Sequence, residues 1–563
     1  MSLRVAVNLA RQREAEHAPR SALAPVGGRA QQLCPSVSGA GGSLADGGCS
    51  SDAEPGGVDV AHAGRRYLLR RLSETDVAPP DSGGGAGLLA PDTATSSIQW
   101  WSKPILDSLA DNIDSSRATR RFNVHSVCSG VGAELFAIKA LGIQTARVPV
   151  CDIKKHARDF MSQNHGDLIS SCSESMAAYV GAVAGRPPPD CLVGGPPCQP
   201  YTEARSGRFS DDQGPATHHL YDAIFGMDGE TPGGSYFECL NRTRPLGAIM
   251  EQVRGFTRKA RAADQSEFER FRSMLEREIR VPDGESSKPH FTAVKAFIVN
   301  ANTWLEMDRP RVMVIVLSDA LGGWDGMGEI ESMMSEVLSC RSKFPPHSVS
   351  ELFRHWSRPQ ADGHVIQEAL AAEEAKSERL GMWKQWQIDS LRTRAKFELP
   401  PHMTGALLSA GISTVGVPRP GARIRDVLEV AWCSRPPSER TVDNFFCDCN
   451  QSVYREPWGA LKTLITSSFL FDFARGSILS GRDHFLLQAL PSTMQLGTLS
   501  ESKQRELAGE GIFVPCLATV LLAYYLNPKA PWIQRREDLA TWVPAHEDPL
   551  PKRRKVIGGP SSC

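Results

Sequence analysis

The chain has 563 residues, with 63 Lys+Arg against 64 Asp+Glu and a formal net charge of −1. Hydrophobic residues make up 41% and charged residues 23%, a globular composition with room for about two to four folded units. No run of about 18 apolar residues is present, so no membrane span is expected. The near-zero charge excludes a blanket of positive charge, but not a local basic surface that could meet nucleic acid.

Residues 1–95 hold 14 of the 49 glycines, about twice the density of the rest. Tracts such as Gly83-Gly84-Gly85 cannot build a packed core, so a disordered Gly/Ala/Ser/Pro-rich arm is expected there. The start lacks the apolar stretch of a secretory signal, and a reducing compartment is the expectation for the 14 cysteines. Order is expected from about Trp100. Segment 122–128, FNVHSVC, reads as a strand. It runs into Ser129-Gly130-Val131-Gly132-Ala133 and then a helix-like ELFAIKALG. A strand at 146–151 ends in Asp152, and a helix at 154–164 follows. Further strands are expected at 190–194, 246–250 and 312–317, and a buried helix at 512–526. Alternating strands and helices imply an α/β fold with a mostly parallel sheet. Ligands in such sheets bind beyond the carboxyl ends of the strands, where Gly130, Asp152, Cys198 and Glu251 are all expected.

Two patterns carry chemistry. A Gly-rich turn between a strand and a helix lets a ligand approach the backbone, and an acid ending the next strand can accept from ribose hydroxyls. Gly130, Gly132 and Asp152 fit that pattern. The sharper pattern is GGPPCQPY, residues 194–201. Two prolines stiffen the loop and hold one thiol, Cys198, at a strand end. A nucleophilic thiol needs such placement together with a lowered pKa.

GGPPCQPY resembles the catalytic loop of the cytosine-C5 DNA methyltransferases. NVHSVCSGVGAE is similar to that family's S-adenosylmethionine motif and IMEQVRGF to its Glu-Asn-Val motif. MDRPRVMVIV is similar to its Arg-x-Arg motif, and ILSGRDHFLLQALPS and RELAGEGIFVPCLATVL to its two closing motifs. The order is the family's, and the resemblance covers about 120–318 and 459–527. It implies a Rossmann-like class I methyltransferase domain with a mostly parallel sheet, plus a smaller irregular target-recognition domain. The implied division is an arm at 1–95, a first catalytic part at 96–318, a target-recognition region at 319–458, closing motifs at 459–527 and a flexible tail at 528–563.

The resemblance implies S-adenosylmethionine as cofactor, held by Cys128, Ser129, Gly130, Gly132, Leu135, Asp152, Ile153, Pro196, Glu510 and Ile512, with no metal. It implies Cys198 as nucleophile and Glu251 as the acid at the base edge. Arg309 and Arg311, two apart on a strand and so on one face, would offer planar forks to the base or a phosphate. The implied partner is double-stranded DNA with the target base flipped out. Basic stretches 391–397 (LRTRAKF) and 419–425 (RPGARIR) are expected to meet phosphates.

Several positions depart from the family pattern. Cys128 replaces an aromatic residue, Gln252 the Asn, and Glu510 an Asn, which would put a carboxylate near the methionine end of the cofactor. Residues 217–234, THHLYDAIFGMDGETPGG, are irregular. These departures leave open a catalytically weak or inactive DNA-binding scaffold. An RNA (tRNA) cytosine-5 methyltransferase is open too, because the catalytic residues do not read the sugar. The Cys-x-Cys at 447–449 is off zinc spacing. The basic run Lys552-Arg553-Arg554-Lys555 resembles a nuclear-import signal, implying an import receptor as partner and a nuclear location.

Overall fold

The computed structural model describes residues 99–202, 218, 220–226, 234–259, 265–283, 286–356, 368, 375, 382–412, 422–449 and 461–535. The arm at 1–95, the import run and half of the irregular stretch 217–234 lie outside the described residues. The same holds for residues 419–421 of the second basic stretch.

Seven strands form the main sheet: β1 (Val124–Val127), β2 (Val148–Cys151), β3 (Ile169–Ser173), β4 (Cys191–Gly194), β5 (Gly247–Gln252), β6 (Phe291–Asn300) and β7 (Pro310–Ser318). Their order is β3-β2-β1-β4-β5-β7-β6. Strands β1 to β5 pair in parallel, and β7 runs antiparallel between β5 and β6. The fold is the expected α/β one, with a Rossmann-like, mostly parallel sheet. From β1 the chain works outward to β3, then returns to start β4 on β1's other side. That reversal opens a crevice at the carboxyl ends of β1 and β4. Strand β3 escapes the sequence reading because buried Ile169 is followed by serines and Cys172 at exposed or half-buried positions, which dilutes its apolar signal. The edge strand β6, FTAVKAFIVN, carries a strong apolar signal and is nonetheless absent from the sequence reading.

Helices cover both faces: α1 (Ala133–Leu141), α2 (Lys155–His165), α3 (Met176–Val183), α4 (Tyr236–Thr243), α5 (Glu267–Glu278), α6 (Gly323–Ser339), α9 (Glu501–Glu510) and α10 (Val514–Tyr525), while α7 (Met382–Lys396) and α8 (Ala422–Cys433) belong to a separate lobe. Strand residues alternate between the two cores, as the period of two requires. Val193, Ile249, Met313 and Ile315 join α1, α2, α6 and α10 on one face. Leu192, Ala248, Met250, Val312 and Val314 join α3, α4 and α5 on the other. Every residue of α10 is buried, as expected for a helix apolar all round. Among the described residues no single helix is long and apolar enough to cross a membrane.

A third core builds a small lobe from α8, the segment around Leu407, and three short strands, β8 (Phe446–Asp448), β9 (Leu470–Asp472) and β10 (Ser477–Ile478). The cores therefore divide the chain differently from the boundaries drawn at 319 and 459. Helix α6 supplies Met327 and Ile330 to the main core, and Phe469–Ile478 packs in the small lobe. The boundary at 528 also shifts. Ile533–Arg535 pairs antiparallel with Ser116–Ala118, and Trp532 is fully buried against Phe122 and Tyr524. The polar look of the last residues hid this anchor.

Arg394 is the small lobe's ionic centre. Its Nε and Nη2 donate to Asp426 Oδ1 at 2.8 and 2.5 Å, and Nη2 reaches Glu429 Oε1 at 3.1 Å. Its Nη1 donates to the Pro400 and His402 carbonyls. The residue is 2% exposed. This corrects the reading of 391–397 as a phosphate-contacting run, because its second arginine is spent inside the lobe. Arg423 likewise donates to the Cys449 carbonyl, while Arg392 and Arg425 stay exposed. Arg394→Ala is expected to cost about 3–5 kcal/mol, since two carboxylates would stay buried without their cation. Urea unfolding would read it, and a loss under about 1 kcal/mol would remove Arg394 from the lobe's framework.

Candidate active site

The register of the sheet brings the sequence-predicted residues to one rim. Cys151, Val127, Gly194 and Met250 lie in one row across β2, β1, β4 and β5. The next residue on each strand is therefore Asp152, Cys128, Gly195 and Glu251. The strand ends are level, so the loops that follow open side by side.

The first loop is built on left-handed backbone. Cys128, Gly130 and Gly132 have φ of +52°, +54° and +71°. A Cβ at Gly132 would also press on Leu135, Met161 and His165 at 3.2–3.5 Å, so only glycine fits there. A Cβ at Gly130 would meet nothing within 4 Å, which leaves its backbone open to a ligand. Ser129 ties the loop down: its N–H donates to the Cys151 carbonyl at 3.0 Å, and its hydroxyl lies 2.6 Å from that of Ser126. Asp152 stitches the two strand ends together. It accepts from Gly130 N at 2.8 Å and from Lys154 N at 2.8 Å. A carboxylate offers about four acceptor sites, so two remain for ribose hydroxyls. Ile153 beside it is 75% exposed, an apolar side chain left at the mouth. Leu135 does not line the crevice. It is fully buried in the core under the loop, because the first turn of α1 points it inward. Cys128 sets its Sγ 3.9 Å from Met176 Sδ, and burial pushes its thiol well up.

Sequence reasoning passed over Glu134, which resembles an ordinary acid in a first helical turn. It is 1% exposed, and Oε1 has no hydrogen-bond partner. Burial raises its carboxyl to about 7, against the pull of its bond to Ser126. An unpartnered acceptor, an open glycine backbone, a partly free Asp152 and an exposed Ile153 suit a cationic, ribose-bearing, partly apolar cofactor. S-adenosylmethionine has that chemistry.

The second loop carries the thiol. A Cβ at Gly194 would strike the Tyr236 ring at 2.5 Å, and one at Gly195 would sit 3.2 Å from Ile512. Both glycines are thus needed for close passage. Gln252, fully buried, donates Nε2 to the Pro196 carbonyl at 2.7 Å. The longer amide thus holds the stiff loop from the end of β5. Cys198 ends the loop, part-buried, and its carbonyl receives Tyr201 N at 3.0 Å. Its thiol is raised rather than lowered: burial acts first, then the Glu251 charge, while Arg311 and Arg309 pull the other way. The expectation of a lowered pKa is thereby corrected. The arginines beside it do not outweigh burial and the neighbouring carboxylate.

Glu251 is 8% exposed and pairs with Arg311, whose Nε lies 2.7 Å from Oε1. Burial still holds its carboxyl above the ordinary range. Arg309 takes a different role from Arg311. It lies in the turn before β7, where strand alternation no longer sets direction. Its Nη2 donates to the Gly511 carbonyl at 2.7 Å and Nη1 to that of Leu464 at 3.2 Å. It is 1% exposed, and burial, then the Arg311 charge, lower its pKa to about 9. Arg309 thus clasps two late segments behind Cys198 and Glu251, and its fork is not offered to a base or phosphate. Both arginines nonetheless act on the charge of that pair.

The closing segment completes the rim. Ile512 packs on Gly195, and Gly511 lies beside Val131. Glu510 is not free to meet a cofactor, because Lys154 Nζ sits 2.6 Å from its carboxylate oxygens. Buried Cys516 senses Arg311, Arg309 and Glu251, with its thiol pushed far up by burial. Among the described residues no group of three His, Cys, Asp or Glu is placed to hold a metal ion.

No protein-family model matches the sequence, and no curated protein is similar to it. Solved structures do show distant likeness. A putative DNA modification methyltransferase encoded within an E. coli prophage is 14% identical at a TM-score of 0.37, over 72% of this chain and 98% of that one. The Entamoeba histolytica methyltransferase EhMeth is 12% identical at 0.36, over 72% and 98%. The S. pombe Dnmt2 methyltransferase is 14% identical at 0.34, over 73% and 99%.

Proposed function

We propose that this chain transfers a methyl group from S-adenosylmethionine to C5 of cytosine in DNA, through a covalent adduct between Cys198 and a flipped-out base. The observation that carries this reading is the grouping of Cys198, Glu251 and Arg311 on the same sheet rim as the open Gly130 loop. Cytosine C5 is a poor nucleophile. Sulfur of Cys198 forms a bond to C6, and the C5–C6 π pair becomes available at C5. Glu251 supplies the proton that N3 takes up as the ring gains electron density. Arg311 fixes the Glu251 carboxyl and presents its remaining N–H groups to the base edge. Gly130, Asp152, Ile153 and Glu134 would hold the cofactor, whose contribution is an electrophilic methyl group. A water then takes the C5 proton, the C5–C6 double bond re-forms as the S–C6 bond breaks, Cys198 leaves as thiolate and N3 returns its proton to Glu251.

A base inside a duplex cannot reach a rim this enclosed, so the target must leave the stack. In this reading the small lobe and its exposed Arg392 and Arg425 face the backbone of the duplex, and Lys552–Lys555 directs the chain to the nucleus. The test is methyl transfer by the purified protein, offered cofactor with a labelled methyl, duplex plasmid and tRNA together. Bisulfite sequencing then locates the product. Label in plasmid cytosines is expected. Label in tRNA alone would make this an RNA enzyme, and cofactor binding without any transfer would make it a scaffold.

A further inference from the structure

Lys154 lies immediately beyond Asp152 and Ile153 at the crevice mouth. Its Nζ reaches across to α9, 2.7 Å from Glu506 Oε1 and 2.6 Å from both oxygens of Glu510. The two glutamates are four residues apart, so they share a helix face. Lys503 neutralises the other side of Glu506 at 2.6 Å. Lys154, Glu506 and Glu510 keep 24–30% of their side chains exposed, so the cluster borders solvent. Between and just after these glutamates, Gln488 Nε2 donates to the Ala508 carbonyl at 2.6 Å and the Gly511 carbonyl accepts from Arg309. Ile512 then presses on Gly195 of the thiol loop.

The segment 506–512 is therefore held on two sides by different means. Buried hydrogen bonds reach the Ala508 and Gly511 carbonyls from the substrate side, and the Glu506 and Glu510 carboxylates meet Lys154 on the cofactor side, with Lys503 and His156 also beside Glu506. We infer that Lys154 and Glu510 are positioning residues: together they clamp the 506–512 segment shut over the cofactor mouth, and the clamp is released by salt. The inference rests on the cofactor reading above. The ion pairs are part-exposed, so added salt screens them, while the Arg309 and Gln488 bonds persist. The Glu506 and Glu510 face of the segment would then loosen while Ile512 stays near the thiol loop. A merely decorative surface pair would hold nothing in place.

The test uses the full chain with Lys154→Met, Glu510→Gln, both together, and Lys154→Arg. Amide exchange over 505–513 is measured without cofactor, and S-adenosylmethionine is titrated at about 50 and about 500 mM salt. In the wild type, high salt is expected to weaken cofactor binding by about fivefold. Lys154→Met and Glu510→Gln are expected to show that weakening already at low salt, with little further response. The double variant is no worse than either single one, and Lys154→Arg restores the wild-type behaviour. The loss appears in KM for the cofactor and leaves kcat unmoved. Exchange over 505–513 quickens in Lys154→Met. Unchanged exchange and unchanged affinity in that variant would overturn the clamp. Failure of the wild type to bind the cofactor would overturn the functional reading instead, while the exchange measurement still decides the clamp.

Discussion

Cys198→Ser is expected to lower methyl transfer on the order of 10³-fold or more and to abolish trapping on a duplex bearing 5-fluorocytosine. Fluorine at C5 cannot leave as a proton does, so a covalent enzyme stays attached to the base after transfer. The complex should survive denaturing electrophoresis with the wild type and be absent with the variant. Serine has nearly the size of cysteine, and Cys198 hydrogen-bonds through its backbone to Tyr201, so the loop should keep its shape. Cofactor affinity should stay within about twofold, which separates lost chemistry from lost folding. The raised thiol pKa sharpens the expectation. Burial and the Glu251 charge hold Cys198 in its thiol form, and a thiolate formed there is intrinsically more nucleophilic than one of low pKa. A serine hydroxyl in the same place has neither property. A variant that still transfers methyl groups at the wild-type rate would rule out covalent attack by residue 198.

The central strands and the thiol loop were legible because each is nearly self-sufficient in sequence. VHSV, CLVG and GAIMEQ are continuously buried, and the run GGPPCQPY declares its stiffness through its prolines. The convergence on one rim followed from the strand ends, since a parallel sheet in level register leaves its loops no other place. Directions of side chains beyond the strands were not legible. Arg309 and Arg311 have the same chemistry and near-identical addresses. One meets Glu251 and the other meets carbonyls 155 and 202 residues away along the chain. Lys154 and Glu510 lie 356 residues apart, and nothing local announces their pairing. Arg394 looks like surface charge until Asp426 and Glu429, a helix away, are placed against it. Long-range ionic contacts leave no period in the sequence, whereas cores and stiff turns do.

Glu251→Gln is expected to lower kcat/KM for the nucleic acid by about 10²–10⁴-fold, the range for loss of a positioned general acid. The amide oxygen can still accept from Arg311 Nε, so the Arg311 side chain keeps a partner and the pocket its shape. The more telling change is in the pH profile. Activity needs Cys198 as thiolate and Glu251 as acid. Each raises the pKa of the other's neighbourhood when charged, so they titrate as a pair. The productive form carries one proton between them. Two protons at low pH leave no thiolate, and none at high pH leaves no acid, so the wild-type profile is bell-shaped. Burial holds both groups above their ordinary values, which moves the whole bell toward alkaline pH. In Glu251→Gln only the thiol titrates. The residual rate should then climb as the thiol ionises and level off, with no alkaline fall. Measuring kcat/KM across both limbs at saturating cofactor decides it. A variant that keeps the alkaline fall would assign that proton to another group, and Glu251 would be left as the partner of Arg311 alone.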